Sequence, residues 1–285
     1  MGSESAKSFA VVTDSTADIP RHVYEERNIT VVPLYVNFGD ESMLDGTLSQ
    51  EEFFARMAAS PALPTTSQPS VGAFKEAYER LLQTVDEVVS IHISNKLSGT
   101  LDSARQAAES FTGRVHVFDS RNLSGGLAFM VHDAVAAAKE GLSPQATIER
   151  LEGIRDRVKM IVGFDSLDNL VKGGRIGKVS AFLGSMLNLK VTITVDPEGA
   201  FQPVARTRGE KAALEHTIEW VANQMGSART GKFYVLHALS AERAERLRDD
   251  IAKRFEGSEV AVYEVGSVIA AHTGTAWGVA VLPAD

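Results

Sequence analysis

Short apolar runs alternate with longer stretches of helical period up to about residue 158. Runs at 9–13, 29–38, 88–93 and 115–118 have the length and the Val, Ile and Phe content of strands. Between them Phe74, Ala77, Tyr78, Leu81, Leu82 and Val85 fall on one helical face. Ser49 with Glu52 forms a capping box that opens a short helix, and Ser70 stands where a second would be capped. Prolines 61, 64 and 69 predict a stiff loop over 61–69. Further helices are predicted at 123–139 and at 144–158, where Pro144 lies in the first turn and its missing N–H costs nothing. Strands alternating with helices predict βαβ units on a parallel sheet.

Beyond residue 158 the pattern changes. A strand at 160–164 leads through a short segment to the glycine-rich turn 172–178. Residues 179–189 then carry few polar positions. Residues 191–195 alternate cleanly, turn at Asp196-Pro197-Glu198-Gly199 and return at 201–207, which predicts a hairpin. Helices at 210–225 and 241–255 and strands at 233–238, 260–265 and 279–282 follow. The reading is an α/β chain of two domains. Residues 8–158 form an N-terminal three-layer α/β/α unit with a mostly parallel sheet, and residues 159–285 form an α/β unit with a mixed sheet.

Composition removes several classes of function. A formal net charge of −8 argues against a nucleic-acid binder, which needs a basic face. The absence of cysteine excludes disulfides, thiolate metal sites and cysteine nucleophiles, and fits a reducing, cytoplasmic setting. The seven histidines are scattered without metal-binding spacing, so no metal is expected. The N-terminus reads as neither a signal peptide nor a myristoylation signal. The longest apolar stretch, 127–138, is interrupted by His132 and Asp133, so no membrane insertion is expected. There is no Gly-x-Gly for a dinucleotide fold and no Gly-x-Ser-x-Gly elbow. The turn at 173–178 has the wrong glycine spacing for a phosphate loop, and Val179 stands where Ser or Thr would hold magnesium.

Three polar segments remain. Residues 66–70 are hydroxyl-rich and precede a helix, and residues 94–100 join a strand to a helix, where open α/β sheets bind ligands. Hydroxyls at such a turn lie beside free helix amides and suit an anion. In the third, Gly173-Gly174-Arg175-Ile176, the guanidinium has the geometry to fork onto a carboxylate. Each has an ordinary role open to it: Ser70 as a helix cap, Ser98 as a turn residue, Arg175 as the partner of a structural acid.

The same residues resemble the DegV family. The resemblance runs in order through FAVVTDSTAD (9–18), TSQPS (66–70), IHISNKLSGT (91–100), Phe118-Asp119-Ser120, GGRI (173–176), Arg206-Thr207-Arg208-Gly209 and His272 with Gly274. It departs at Asn95, where members often carry serine, and at 272–276, where HTGTA replaces His-x-Gly-Pro-Gly. The resemblance implies a two-domain fold that buries one long-chain fatty acid between its domains. It also implies a role as the fatty-acid-binding subunit of a bacterial fatty acid kinase, whose separate ATP-binding subunit makes acyl-phosphate for phospholipid synthesis. On that basis the chain is itself no enzyme and carries no cofactor besides the bound lipid. Thr66, Ser98, Arg175 and His272 become the carboxylate site. Phe182, Leu183, Met186 and Leu187 are candidates for the acyl tunnel, and Arg206, Arg208 and Lys211 for partner docking. Two other readings stay open: a lipid-acting serine hydrolase or acyltransferase using Ser98, His272 and an acid such as Asp14, and a lipid carrier or sensor without a kinase.

Overall fold

The computed structural model describes residues 8–182 and 189–284, with Phe182 described through its backbone only. In chain order the elements are β1 (Phe9–Asp14), α1 (Arg21–Arg27), β2 (Ile29–Val32), β3 (Tyr35–Phe38), β4 (Glu41–Leu44), α2 (Gln50–Ala59), β5 (Thr65–Ser67), α3 (Val71–Leu81), β6 (Glu87–His92), α4 (Thr100–Ala108), β7 (Val115–Asp119), α5 (Ser124–Lys139) and α6 (Pro144–Arg157). They continue with β8 (Lys159–Phe164), α7 (Asp168–Lys172), β9 (Leu189–Val195), β10 (Phe201–Arg208), α8 (Glu210–Met225), β11 (Gly231–Ala238), α9 (Ala241–Arg254), β12 (Glu259–Glu264), α10 (Ser267–Thr273) and β13 (Ala276–Pro283).

The strands form three sheets. A four-stranded parallel sheet runs β2-β1-β6-β7, and a six-stranded mixed sheet runs β10-β9-β8-β13-β11-β12. A small antiparallel sheet, β4-β3-β5, is the third. Helices α3 and α4 cover one face of the parallel sheet, closing a core around Phe74, Tyr78 and Ala104. Helix α5 covers the other face and also packs on β8, β11 and β13 of the mixed sheet. Helices α8 and α9 lie on that sheet's far face, over Trp277, Phe233 and Val235.

This layering explains α5. Eleven of its sixteen residues are buried, because it is sandwiched between two sheets. The longest apolar stretch of the sequence is thus an internal helix, and among the described residues no helix is long and apolar enough to cross a membrane.

Local signals hold where they are strong. Ser49 and Glu52 form the reciprocal capping box, and Ser70 caps α3 through the Ala73 N–H. The hairpin turns on Asp196, whose carboxylate accepts the amides of Glu198 and Ala200. Three expectations need correction. The run 29–38 is two strands in different sheets, split after Val32 beside Pro33. The stiff loop 61–69 contains β5, which gains its ladder by pairing with β3 from thirty residues upstream. The apolar stretch 179–189 begins as a 3₁₀ turn, Gly177–Phe182, with Val179 fully buried, and reaches β9 at Leu189. Leu183, Met186 and Leu187 lie outside the described residues, as does the side chain of Phe182.

Candidate functional site

Four separate segments converge beside the carboxyl ends of β1 and β6. Thr66 sits on β5, Ser98 in the β6–α4 turn, Arg175 just after α7, and His272 in the last turn of α10. All four line one cavity of about 40 Å³. Thr66 Oγ1 and His272 Nε2 are hydrogen bonded at 2.7 Å, and Ser98 Oγ bonds Thr100 Oγ1 at 2.8 Å. Among the described residues Arg175 pairs with no acid. Its guanidinium donates to the carbonyls of Gly173 (2.7 Å) and Leu97 (3.4 Å), which ties the glycine-rich turn to the Ser98 turn.

Two glycines are there for close approach. A Cβ at Gly99 would lie 2.0 Å from Gln68 Oε1, so glycine there lets the Gln68 amide lie against the Ser98 turn. Gln68 also donates to Ser103 at 2.8 Å across the same contact. A Cβ at Gly173 would lie 2.3 Å from His272 Nδ1, so the imidazole rests directly on the turn. Helix α10 ends at Thr273, one residue past His272, where Gly274 with a φ of 60° caps it. The helix therefore terminates here without the proline of the usual family pattern.

Burial, and then the nearby Arg175 charge, push the His272 imidazole down to about 4. It is neutral near pH 7, and its Nδ1 has no hydrogen-bond partner. A histidine whose pKa is depressed on folding contributes stability above its unfolded value of ~6.5 and loses it as pH falls toward the folded value. We expect His272→Gln, which keeps an amide within reach of Thr66 but cannot titrate, to flatten part of the fall in urea midpoint between pH 6.5 and 4. His132, also pushed down to about 4, supplies a remaining slope in both proteins. Parallel curves for the two proteins would show that His272 is not desolvated.

This cavity adjoins a second one, of about 30 Å³, with which it shares Leu123, Phe201, Ile269 and Thr273. Its lining is apolar because of sheet register. Met160, Val162 and Phe164 of β8 face it beside Ala276 and Gly278 of β13 and Leu236 and Ala238 of β11. The middle strand offers no side chain beyond Cβ there, which leaves a trough under α5. Two other clefts are polar and open, and their arginines are engaged in ion pairs: Arg150 with Asp133 and Glu140, Arg243 with Asp165 and Glu210.

Arg206, Arg208 and Lys211 are exposed on the outer strand β10 and the start of α8, and none lines either cavity. Lys211 faces Glu215 at 3.8 Å. Among the described residues no group of acids and histidines could hold a metal. The triad of Ser98, His272 and Asp14 is not assembled. Asp14 is buried; one carboxylate oxygen accepts from Thr16, and the other accepts the Ile93 N–H and lies 3.0 Å from His92 Nδ1. His272 bonds Thr66, and Ser98 bonds Thr100. Sequence reading missed the wall formed by α10 and the β13 trough, which only the register of distant strands creates.

A family model described as an uncharacterised protein of the DegV family matches residues 8–284. A DegV domain-containing protein of Halalkalibacterium halodurans is 36% identical over 269 residues, 93% of this chain and 95% of that one. Among solved structures, a fatty-acid-binding DegV family protein of Thermus thermophilus is 36% identical. The alignment covers 97% of this chain and 100% of that one, at a TM-score of 0.93. DegV of Bacillus subtilis, a fatty acid binding protein, is 31% identical, with 98% and 100% coverage and a TM-score of 0.88.

Proposed function

Because this chain belongs to the DegV family, we propose that it binds one long-chain fatty acid and presents the carboxylate to an ATP-dependent fatty acid kinase subunit. The observation that carries the reading is the convergence of Thr66, Ser98, Arg175 and His272 on one cavity that adjoins an apolar one. A carboxylate there meets hydroxyl donors and a fixed guanidinium. In the Nε2–H tautomer, His272 donates to Thr66 Oγ1 and leaves the threonine proton free for the ligand. The tail then lies in the β13 trough, between the units 8–158 and 159–285.

Each buried CH₂ contributes about 0.8 kcal/mol, against ~1 kcal/mol net for a hydrogen bond. The tail sets affinity, and the head residues set orientation. Cavities of about 40 and 30 Å³ are small against the ~300 Å³ or more of pockets that enclose drug-sized ligands. The walls must therefore yield as a chain enters. The apolar stretch with Phe182, Leu183, Met186 and Leu187 is a proposed part of that wall. Arg206, Arg208 and Lys211 are the proposed docking face for the kinase subunit. Such a subunit needs no cofactor of its own and works in the cytoplasm. The dispersal of Ser98, His272 and Asp14 into separate hydrogen bonds favours this binding role over hydrolysis.

The reading is tested by denaturing the purified protein, extracting it with organic solvent and identifying released lipid by mass spectrometry. We expect about one equivalent of free fatty acid. An empty extract, with no uptake of added fatty acid, would assign the cavity to another ligand.

A further inference from the structure

Helix α10 supplies His272 to the head cavity, and Val268, Ile269 and Thr273 to its wall. Its first turn has no cap of its own, since Gly266 precedes it. Two carboxylates from the opposite end of the chain bind these amides instead. Asp18 accepts the Gly266 N–H at 2.8 Å, and Asp45 accepts the Val268 N–H at 3.2 Å. Asp18 also accepts from the Ser124 hydroxyl, at the residue that opens α5 and lines the apolar cavity. Asp18 and Ser124 both hold left-handed backbones, with φ of 52° and 49°, a strain that only surrounding packing maintains. Burial raises both carboxyls above their ordinary range, Asp18 the more strongly. Keeping a buried and a half-buried acid, with two strained residues, at the foot of one short helix is costly, and such departures gather where function needs them.

We propose that Asp18 and Asp45 are positioning residues, which pin α10 so that His272 stays on Thr66 while the walls of the tail cavity yield to the acyl chain. The inference rests on the fatty-acid reading above. It separates two jobs within one pocket: a rigid head site on a clamped helix, and a deformable tail site on the sheet and α5.

Binding of hexadecanoic acid and of hexadecanol, alike in tail and different in head, tests the clamp in the full chain. The wild-type protein is expected to prefer the acid. Asp45→Ala is expected to narrow the acid-over-alcohol ratio about tenfold while leaving the alcohol's affinity unchanged. Asp45→Asn, whose amide oxygen still accepts the Val268 N–H, is expected to restore the ratio. Gly266→Ala covers the case in which Asp45→Ala does not fold. Its φ of −68° suits alanine, but the new Cβ lies 3.0 Å from both Asp45 carboxylate oxygens and displaces the clamp without removing a charge. The ratio should narrow here too. An unchanged ratio in the folded variants, or acid and alcohol weakening in parallel, overturns the positioning role. Failure of the wild-type protein to bind either molecule overturns the fatty-acid reading itself.

Discussion

Ser98→Ala is expected to keep its fatty acid yet lose about a hundredfold in the rate at which an ATP-dependent kinase subunit converts that acid to acyl-phosphate. The two effects differ because they draw on different energies. Ser98 contributes one hydroxyl to the head cavity, and a net hydrogen bond of about 1 kcal/mol changes affinity only some fivefold. A long tail contributes on the order of 10 kcal/mol of burial before the costs of binding. Transfer, by contrast, depends on where the carboxylate oxygen points, and a displacement of about 1 Å costs ~10² in rate. Ser98 also accepts the Thr100 N–H at 3.2 Å, so the substitution frees a first-turn amide of α4 and loosens the turn. Extraction and mass spectrometry measure retention, and single-turnover transfer from ATP measures the rate. Complete loss of lipid from the variant would show that the head, rather than the tail, holds the ligand.

Ala276→Leu is expected to shift chain-length preference downward by about three carbons. Ala276 lies between Phe164 and Ala238 in register and faces the apolar cavity. Leucine adds three carbons to a space of about 30 Å³ and fills what an acyl tail would occupy. At ~0.8 kcal/mol per CH₂, displacing three methylenes costs about 2.4 kcal/mol, roughly fiftyfold in affinity for the longest acids, with little change for short ones. The apo protein should melt a few degrees lower, because three added carbons overfill a void of about 30 Å³ and cost about 1–3 kcal/mol. A uniform loss across all chain lengths would place the tail elsewhere.

These expectations depend on features of unequal visibility in the chain. The capping box of Ser49 and Glu52, the strand at β1 and the hairpin on Asp196 were legible because each is written in neighbouring residues. Thr66, Ser98 and Arg175 were legible as polar interruptions beside apolar elements, and likeness to a family pattern joined them to His272. That likeness grouped Thr66 with His272, 206 positions apart, and the hydrogen bond between them emerged only in the fold.

Strand β5 escaped because a three-residue polar strand beside prolines has no period to detect and exists only through its ladder to β3. Helix α10 escaped for a related reason: it is seven residues long, starts after glycine, and is capped by carboxylates 248 and 223 positions away. The cavity wall escaped because the register of β8, β13 and β11 decides which alternate residues face α5. Side-chain period and capping chemistry act over a few residues, so element type and the polar head residues were open to a reader of the chain alone. Partner choice, register and burial are set by contacts between residues far apart, and those contacts gave the polar cavity its neutral histidine and the neighbouring cavity its apolar walls.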